Sequence, residues 1–332
     1  MTKIVRFYEL GGPDVLKIED LPLAEPGEGD VRLQVKAIGL NRAEVVFREG
    51  NYLEQPNLPA RIGYEASGIV DAVGAGVTQV KVGDRVGTLT AFRMSQYGVY
   101  GESAIVPAYA IAPHPENLSF EEGAAIWMKY LTAYGPLIEY GHIKPGDYVL
   151  ITAASSSVGH AAMQIAKSEG AVVIATTRTS AKKQKLIEGG ADLVIATNEE
   201  DLPAKIEEFT SGHGADLIFD PIAGSLVEQL TKAAAPGTTL FIYGALSMAV
   251  NTTPFPIYTA IGKGLKMQGY TVNEITSDPE KKARGIRYVH EGLKSGKLKP
   301  VLDPQRFSLD NIVEAHRYME SNQQNGKIVV TV

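Results

Sequence analysis

The run Asp147-Tyr148-Val149-Leu150-Ile151-Thr152-Ala153-Ala154-Ser155-Ser156-Ser157-Val158-Gly159 decides the fold of this chain. Consecutive apolar residues from Tyr148 lead into a Ser-rich turn, and a helical pattern opens directly after it. A continuous apolar strand, unlike an alternating one, is a strand buried on both faces, the usual state in parallel sheets. In such a strand–turn–helix unit, the first helical N–H groups and the helix dipole converge on a spot that suits a pyrophosphate. Ala153, Ser156 and Gly159 give A-x-x-S-x-x-G, a weakened form of the Gly-rich dinucleotide pattern. Ser at the middle position hampers close backbone approach, although its hydroxyl can donate to a phosphate. Taken alone, the run fits a Ser-rich helix cap with no ligand equally well.

The surroundings favour the nucleotide. Apolar strands at Tyr148–Thr152, Val172–Thr176, Leu193–Ile195, Leu217–Phe219 and Thr239–Tyr243 alternate with helical patterns at Val158–Glu169, Ala181–Glu188, Asp201–Thr210 and Ser225–Ala233. That alternation implies a doubly wound parallel sheet. An acid ending the second strand would hold the ribose 2′-OH of NAD. The chain instead reads Thr176-Thr177-Arg178-Thr179-Ser180-Ala181-Lys182, with hydroxyls between two cations. Arg178 and Lys182 suit a 2′-phosphate, which points to NADP(H).

The first ~110 residues have a different texture, with short strands between turns. Val31–Ala37 alternates with period two, Ser67–Val73 is β-rich, Gly83-Asp84 launches a strand, and Gly98–Pro107 reads as another. Ser119 with Glu122 forms a capping-box signature. The last ~65 residues mix helices with a terminal strand, Lys327–Val332, and are expected to rejoin the first domain.

Composition limits the function. The chain has 332 residues, 44% of them hydrophobic and 21% charged, so wholesale disorder is excluded. A net charge of −6 without a basic tract is a poor match for nucleic acid. No cysteine is present, which excludes disulfides, thiolate catalysis and the common Cys-containing zinc sites. The N-terminus lacks the apolar core of a signal peptide, and no stretch approaches ~18 uncharged apolar residues. The expectation is a cytoplasmic protein without a membrane span.

Several segments together resemble the medium-chain dehydrogenase/reductases, in the zinc-free NADPH:quinone oxidoreductase branch. They are Gly63-Tyr64-Glu65-Ala66-Ser67-Gly68-Ile69-Val70 with Val73-Gly74, Val82-Gly83-Asp84-Arg85-Val86, and Gly98-Val99-Tyr100-Gly101-Glu102. Leu131-Thr132-Ala133-Tyr134, the Ala153–Gly159 turn, Ala315-His316 and Gly326-Lys327-Ile328-Val329 extend the likeness over nearly the whole chain. The resemblance implies an α/β protein: a GroES-like β-rich substrate domain (1–120 and 267–332), a doubly wound Rossmann NADP(H)-binding domain (121–266), and a cleft between them. A homodimer is a family-level expectation.

The resemblance also implies site residues. Zinc-dependent relatives use Cys and a Gly-His-Glu histidine; here Asn41 and Gly63-Tyr64-Glu65 stand at those places, and the six histidines are scattered, so no metal is expected. Arg48-Glu49-Gly50-Asn51-Tyr52 matches the R-x-G-x-Y segment whose Tyr lies near the nicotinamide. A phenol is protonated at neutral pH, so Tyr52 can donate to a developing enolate or hydroquinone oxygen, or else only line the cleft. Asn41 is assigned to orient substrate or carboxamide, and Thr132 to contact the nicotinamide end. Ser155, Ser156, Val158 and Gly159 are assigned to the phosphates, with Thr177, Arg178 and Lys182 at the adenosine end. Tyr243 and Gly244 are placed by the carboxamide, and Asn325 near the phosphates. The usual Gly-Gly of the phosphate turn is Ser156-Ser157 here, and a Tyr common after the third strand is replaced in Val194-Ile195-Ala196.

The function expected is metal-independent hydride transfer from NADPH to an electron-poor conjugated acceptor, a quinone first. The alternatives are reduction of a 2-alkenal, enone or enoyl-thioester at its C=C bond, and a non-enzymatic NADPH-binding protein. The partner is thus a small apolar or conjugated carbonyl substrate, with neither nucleic acid nor membrane.

Overall fold

The computed structural model describes residues 1–247 and 252–332. It divides into two compact units, 1–128 with 300–332, and 129–299.

In the second unit six parallel strands lie in the order Leu193–Ala196, Val172–Thr177, Tyr148–Ile151, Ala215–Asp220, Ala234–Ile242, Lys266–Gly269. In chain order that is third, second, first, fourth, fifth, sixth. The direction of winding reverses between the first and fourth strands, and ligands of open α/β sheets bind beyond the carboxyl ends at such a switch point. Register places Ile174, Leu150, Ile218 and Leu240 in one row across the sheet, all fully buried. Burying each is worth about 1.5–3 kcal/mol. The helix Ser157–Ser168 buries one face through Ala161, Ala162, Ile165 and neighbours.

The sixth strand is absent from the sequence reading, because Lys-Met-Gln-Gly has neither length nor β-branched residues to mark it. It nevertheless pairs with residues 239–242. The unit also continues past the expected limit at 266. Helix Pro279–Ser295 belongs to it, with the Tyr288 ring 5.3 Å from that of Tyr134 and its hydroxyl 3.1 Å from Ser168 Oγ.

The first unit is built on the strand Asp30–Gly39. This strand pairs antiparallel with Glu65–Val73, Ser103–Pro107 and the C-terminal Val329–Thr331, which brings the C-terminal strand into the sheet of the first hundred residues, while Thr2–Phe7 pairs in a separate three-stranded sheet. The strand expected over 98–107 begins only at Ser103. Tyr100 uses its backbone elsewhere, donating to the Ile62 carbonyl and accepting from Val5 N–H. The short helix Phe120–Gly123 has the expected capping box: Ser119 Oγ accepts from Glu122 N–H at 3.2 Å, and Glu122 Oε2 accepts from Ser119 N–H at 2.9 Å. Among the described residues no helix is long and apolar enough to cross a membrane.

Candidate active site

The sheet unit supplies a nucleotide-type cradle. Beyond Ile151 the chain turns through Ala153, whose φ of 46° lies in the left-handed region, and enters the helix at Ser156. Ser156 is the N-cap: its Oγ accepts from Gly159 N–H at 3.0 Å. A Cβ on Gly159 would fall 2.5 Å from the Ala154 carbonyl oxygen, so the helix packs on its own turn only because this residue is Gly. Ser155 and Val158 are half-buried at the mouth of the turn. The three motif positions thus hold a turn, a cap and a close contact, the jobs the Gly-rich pattern normally shares out.

Behind the turn lies a residue that the sequence reading left out. Asp220 ends the fourth strand fully buried and accepts from the Thr152 hydroxyl, from Ala223 N–H at 2.7 Å and from Ile222 N–H at 3.2 Å. Burial raises its carboxyl above the usual range. Tyr243 N–H donates to the Asp220 carbonyl, and its ring stacks on Phe219 at 4.0 Å and 16°. At Gly244 a Cβ would stand 2.9 Å from the Pro221 carbonyl oxygen. Thr132 is buried in the helix Trp127–Tyr134.

At the second strand's end Thr177 is buried, Arg178 is exposed and Lys182 is half-buried. Two acids reach this corner from the end of the third strand. Glu199 accepts from Ser180 N–H at 3.1 Å, while Glu200 pairs with Lys183 at 2.6 Å and accepts from Ala196 N–H at 2.7 Å. Hydrogen bonding by Lys183 holds the Glu200 carboxyl below its usual range. Both carboxylates are therefore engaged by the protein.

The other unit holds a buried polar chain. Lys327 Nζ lies 2.5 Å from Asn41 Oδ1 and 2.5 Å from Glu65 Oε2, with side chains of Lys327 and Glu65 at most 1% exposed. Glu65 Oε1 accepts from Met128 N–H at 3.0 Å. Asn41 caps the helix Arg42–Arg48, and its amide nitrogen donates to the Gly39 carbonyl at 3.0 Å and to Glu44 Oε1 at 3.2 Å. Glu44, fully buried, also accepts from Asn41 N–H, Tyr64 N–H and the Tyr100 hydroxyl. Burial raises its carboxyl, and these bonds and Lys327 oppose that rise.

His316 continues the chain. Arg48 can only donate, so His316 Nδ1, 2.8 Å away, must accept. Nε2 then carries the proton toward Tyr100 Oη at 3.3 Å. Arg48 closes the run on Glu320 and the Gly11 carbonyl, each at 2.8 Å. Arg48, Glu65 and Lys327 lie in segments that carry the family resemblance, yet neither they nor Glu44 have a role readable from sequence, because their partners lie up to 286 positions away.

This arrangement bears on a metal. A zinc site needs Cys, His or carboxylate donors converging on one point. Asn41 and Tyr64 stand at the relatives' ligand positions, and the Lys327 ammonium lies between Asn41 and Glu65. A fixed cation there repels a second one, so the residues present do not fit zinc. Asn41 has both amide donors committed inside the protein, and its Oδ1 accepts from Lys327 and, in the capping box, from Glu44 N–H. Asn325 is tied into its own segment, its N–H donating to Asp303 Oδ2 at 2.7 Å.

Tyr52 is half-buried, its ring 6.4 Å from that of Tyr64. Burial pushes its phenol up to about 12, so it holds its proton throughout the neutral range.

The His316 linkage gives a pH test. Burial, with Arg48 beside it, holds His316 down at about 3. The unfolded chain binds a proton at this residue below ~6.5 and the folded chain does not, so stability is lost as pH falls from ~6.5 toward 3. The melting temperature should fall between pH 7 and 4, with this residue contributing up to about 1.4 kcal/mol per pH unit. His316→Gln should flatten that dependence; parallel curves for variant and parent would remove the assignment.

Comparison with known proteins agrees with this geometry. Residues 27–116 match the alcohol dehydrogenase GroES-like domain, and residues 157–285 match the zinc-binding dehydrogenase domain. The chain is 31% identical over 333 residues to the quinone oxidoreductase of Pongo abelii, covering 99% of this chain and 98% of that protein. It is 32% identical to quinone oxidoreductase 1 of Escherichia coli K12, with 98% of each covered. The crystal structure of Escherichia coli quinone oxidoreductase complexed with NADPH superposes with a TM-score of 0.91 at 30% identity, covering 99% of this chain and 100% of that one. The chain belongs to the medium-chain dehydrogenase/reductases, in their zinc-free, quinone-oxidoreductase-like branch.

Proposed function

We propose that this protein is an NADPH-dependent, metal-independent oxidoreductase that reduces an electron-poor conjugated acceptor, a quinone in the first instance. The observation that carries the reading is the cradle at the switch point, where Ser156, Gly159 and the helix N-terminus meet a second strand ending in Thr177-Arg178. It stands in a chain similar from end to end to a quinone oxidoreductase crystallised with NADPH.

In this reading Ser155, Ser156, Val158 and Gly159 would hold the pyrophosphate, and Arg178 with Lys182 the 2′-phosphate. Thr132, Tyr243 and Gly244 would flank the nicotinamide end. NADPH, when bound, supplies a hydride. The chain's own residues orient the acceptor and hold a proton: the Tyr52 phenol keeps its hydrogen at neutral pH and can release it to an oxygen that becomes basic on reduction. Proximity and orientation are then the main catalytic lever. Asn41, with both amide donors committed, would orient substrate or carboxamide only through the Oδ1 that it shares with Lys327. A cytoplasmic setting belongs to the same reading, since turnover needs a supply of reduced nucleotide.

Anaerobic NADPH consumption tests it, with a small quinone and a trans-2-alkenal compared side by side. The quinone should be preferred; preference for the alkenal moves the assignment to C=C reduction, and binding without consumption of either leaves a non-enzymatic protein. Arg178→Ala should raise KM for NADPH about tenfold and leave that for NADH nearly unchanged. Tyr52→Phe should lower kcat about tenfold; an unchanged kcat removes Tyr52 from the proton transfer.

A homodimer is part of the proposal. Ile257, Tyr258 and Ile261 are 63%, 92% and 73% exposed on the helix Ile257–Lys263, and Lys266–Gly269 is the outermost strand of its sheet. An open strand edge beside clustered apolar side chains is a common pairing surface. Sedimentation should give a dimer for the parent protein and a monomer for Tyr258→Asp combined with Ile261→Asp; a parent monomer rejects the dimer.

A further inference from the structure

The Tyr52 phenol does not face solvent alone. Its ring lies 6.4 Å from that of Tyr64 at 59°, and hydrogen bonding by Tyr64 opposes the rise that burial causes in the Tyr52 phenol. Tyr64 is almost fully buried, and its hydroxyl donates to Glu54 Oε1 at 3.1 Å. Glu54 is half-buried and held from the far side by Met94 N–H at 2.9 Å, by Ser95 N–H at 3.3 Å and by the Ser95 hydroxyl at 2.5 Å. Tyr52, Tyr64, Phe92 and Tyr97 form an apolar stack around this line, with successive centroids 6.4, 5.5 and 5.9 Å apart. A carboxylate held by backbone and hydroxyl donors at the wet end of two consecutive phenols is more than packing requires. The Met94 and Ser95 N–H groups account for Glu54 as their acceptor, but they do not call for a hydroxyl on Tyr64, where Phe would pack in the same stack.

We propose that Tyr64 and Glu54 form a proton relay that recharges Tyr52, drawing one proton from solvent for each hydride transferred. The proposal rests on the reading of Tyr52 as proton donor. In the balanced step the acceptor gains a hydride, with its two electrons, from the reduced nicotinamide, which is thereby oxidised. The Tyr52 O–H bond breaks and its proton joins the acceptor's oxygen, so a quinone leaves as hydroquinone. The Tyr52 phenolate takes the Tyr64 hydroxyl proton, Tyr64 takes one from the Glu54 carboxyl, and Glu54 is loaded by water beside Ser95. Tyr64 and Glu54 act through Tyr52 and are positioning residues.

The test uses the full chain with NADPH and a small quinone, comparing the parent, Tyr52→Phe, Tyr64→Phe and Glu54→Gln, each checked for native far-UV circular dichroism. Tyr64→Phe and Glu54→Gln should each lower kcat about tenfold with KM for NADPH unchanged. Imidazolium buffer at fixed pH and ionic strength should restore at least half of the loss. Without cofactor, the 13Cζ resonance of Tyr52 should move in both variants. A loss that buffer does not restore, no loss at all, or an unmoved Tyr52 resonance overturns the relay while a slow Tyr52→Phe leaves the donor reading intact. An unchanged Tyr52→Phe overturns the donor reading and the relay together.

Discussion

The interaction on which the first unit depends is the buried pair of Lys327 and Glu65, with Asn41 as third member. Charges out of water persist only with close partners and satisfied hydrogen bonds, and removing one partner of such a pair costs about 3–5 kcal/mol. The Lys327 ammonium comes from the C-terminal segment, Glu65 from the second long strand and Asn41 from the cap of the first helix. The ion pair and the hydrogen bond from Lys327 to Asn41 therefore tie together three segments distant in sequence. They also set the Lys327 ammonium against Asn41, which stands at the sequence position of a zinc ligand in zinc-dependent relatives.

From that pair the order of the unit can be followed outward. Asn41 passes its amide protons to Gly39 and Glu44; Glu44 holds the backbone of Tyr64 and the hydroxyl of Tyr100; Tyr100 meets His316, and His316 meets Arg48. Because Arg48 and Lys327 only donate, the direction of every hydrogen bond between them is fixed. Tyr64 is thereby held rigidly at its backbone, while its hydroxyl remains turned to Glu54. Positioning of Tyr52 beside it then follows from packing on a fixed neighbour.

The nucleotide-type half was the more legible in sequence, because its signals are local. Continuous apolar runs separated by amphipathic helices announced five of six strands, and Ser156 with Gly159 announced the turn. The sixth strand, Lys266–Gly269, escaped because four residues rich in polar groups become a strand only when a neighbour offers them an open edge. The acids near Arg178 escaped for a related reason, since Glu199 and Glu200 lie on another strand's end. In the first unit the strands and the Ser119 cap were readable, but the polar chain was not. Glu65 and Lys327 each lie in a segment that carries the resemblance, but they are 262 positions apart and nothing local pairs them.

Denaturant unfolding of Lys327→Met, Glu65→Met and the double variant tests the central role of this pair most directly. Each single change should cost about 3–5 kcal/mol by leaving its partner buried and uncompensated, and the double variant should recover most of one single loss. A Lys327→Met protein as stable as the parent, or a double variant destabilised by the full sum of the two, would contradict it.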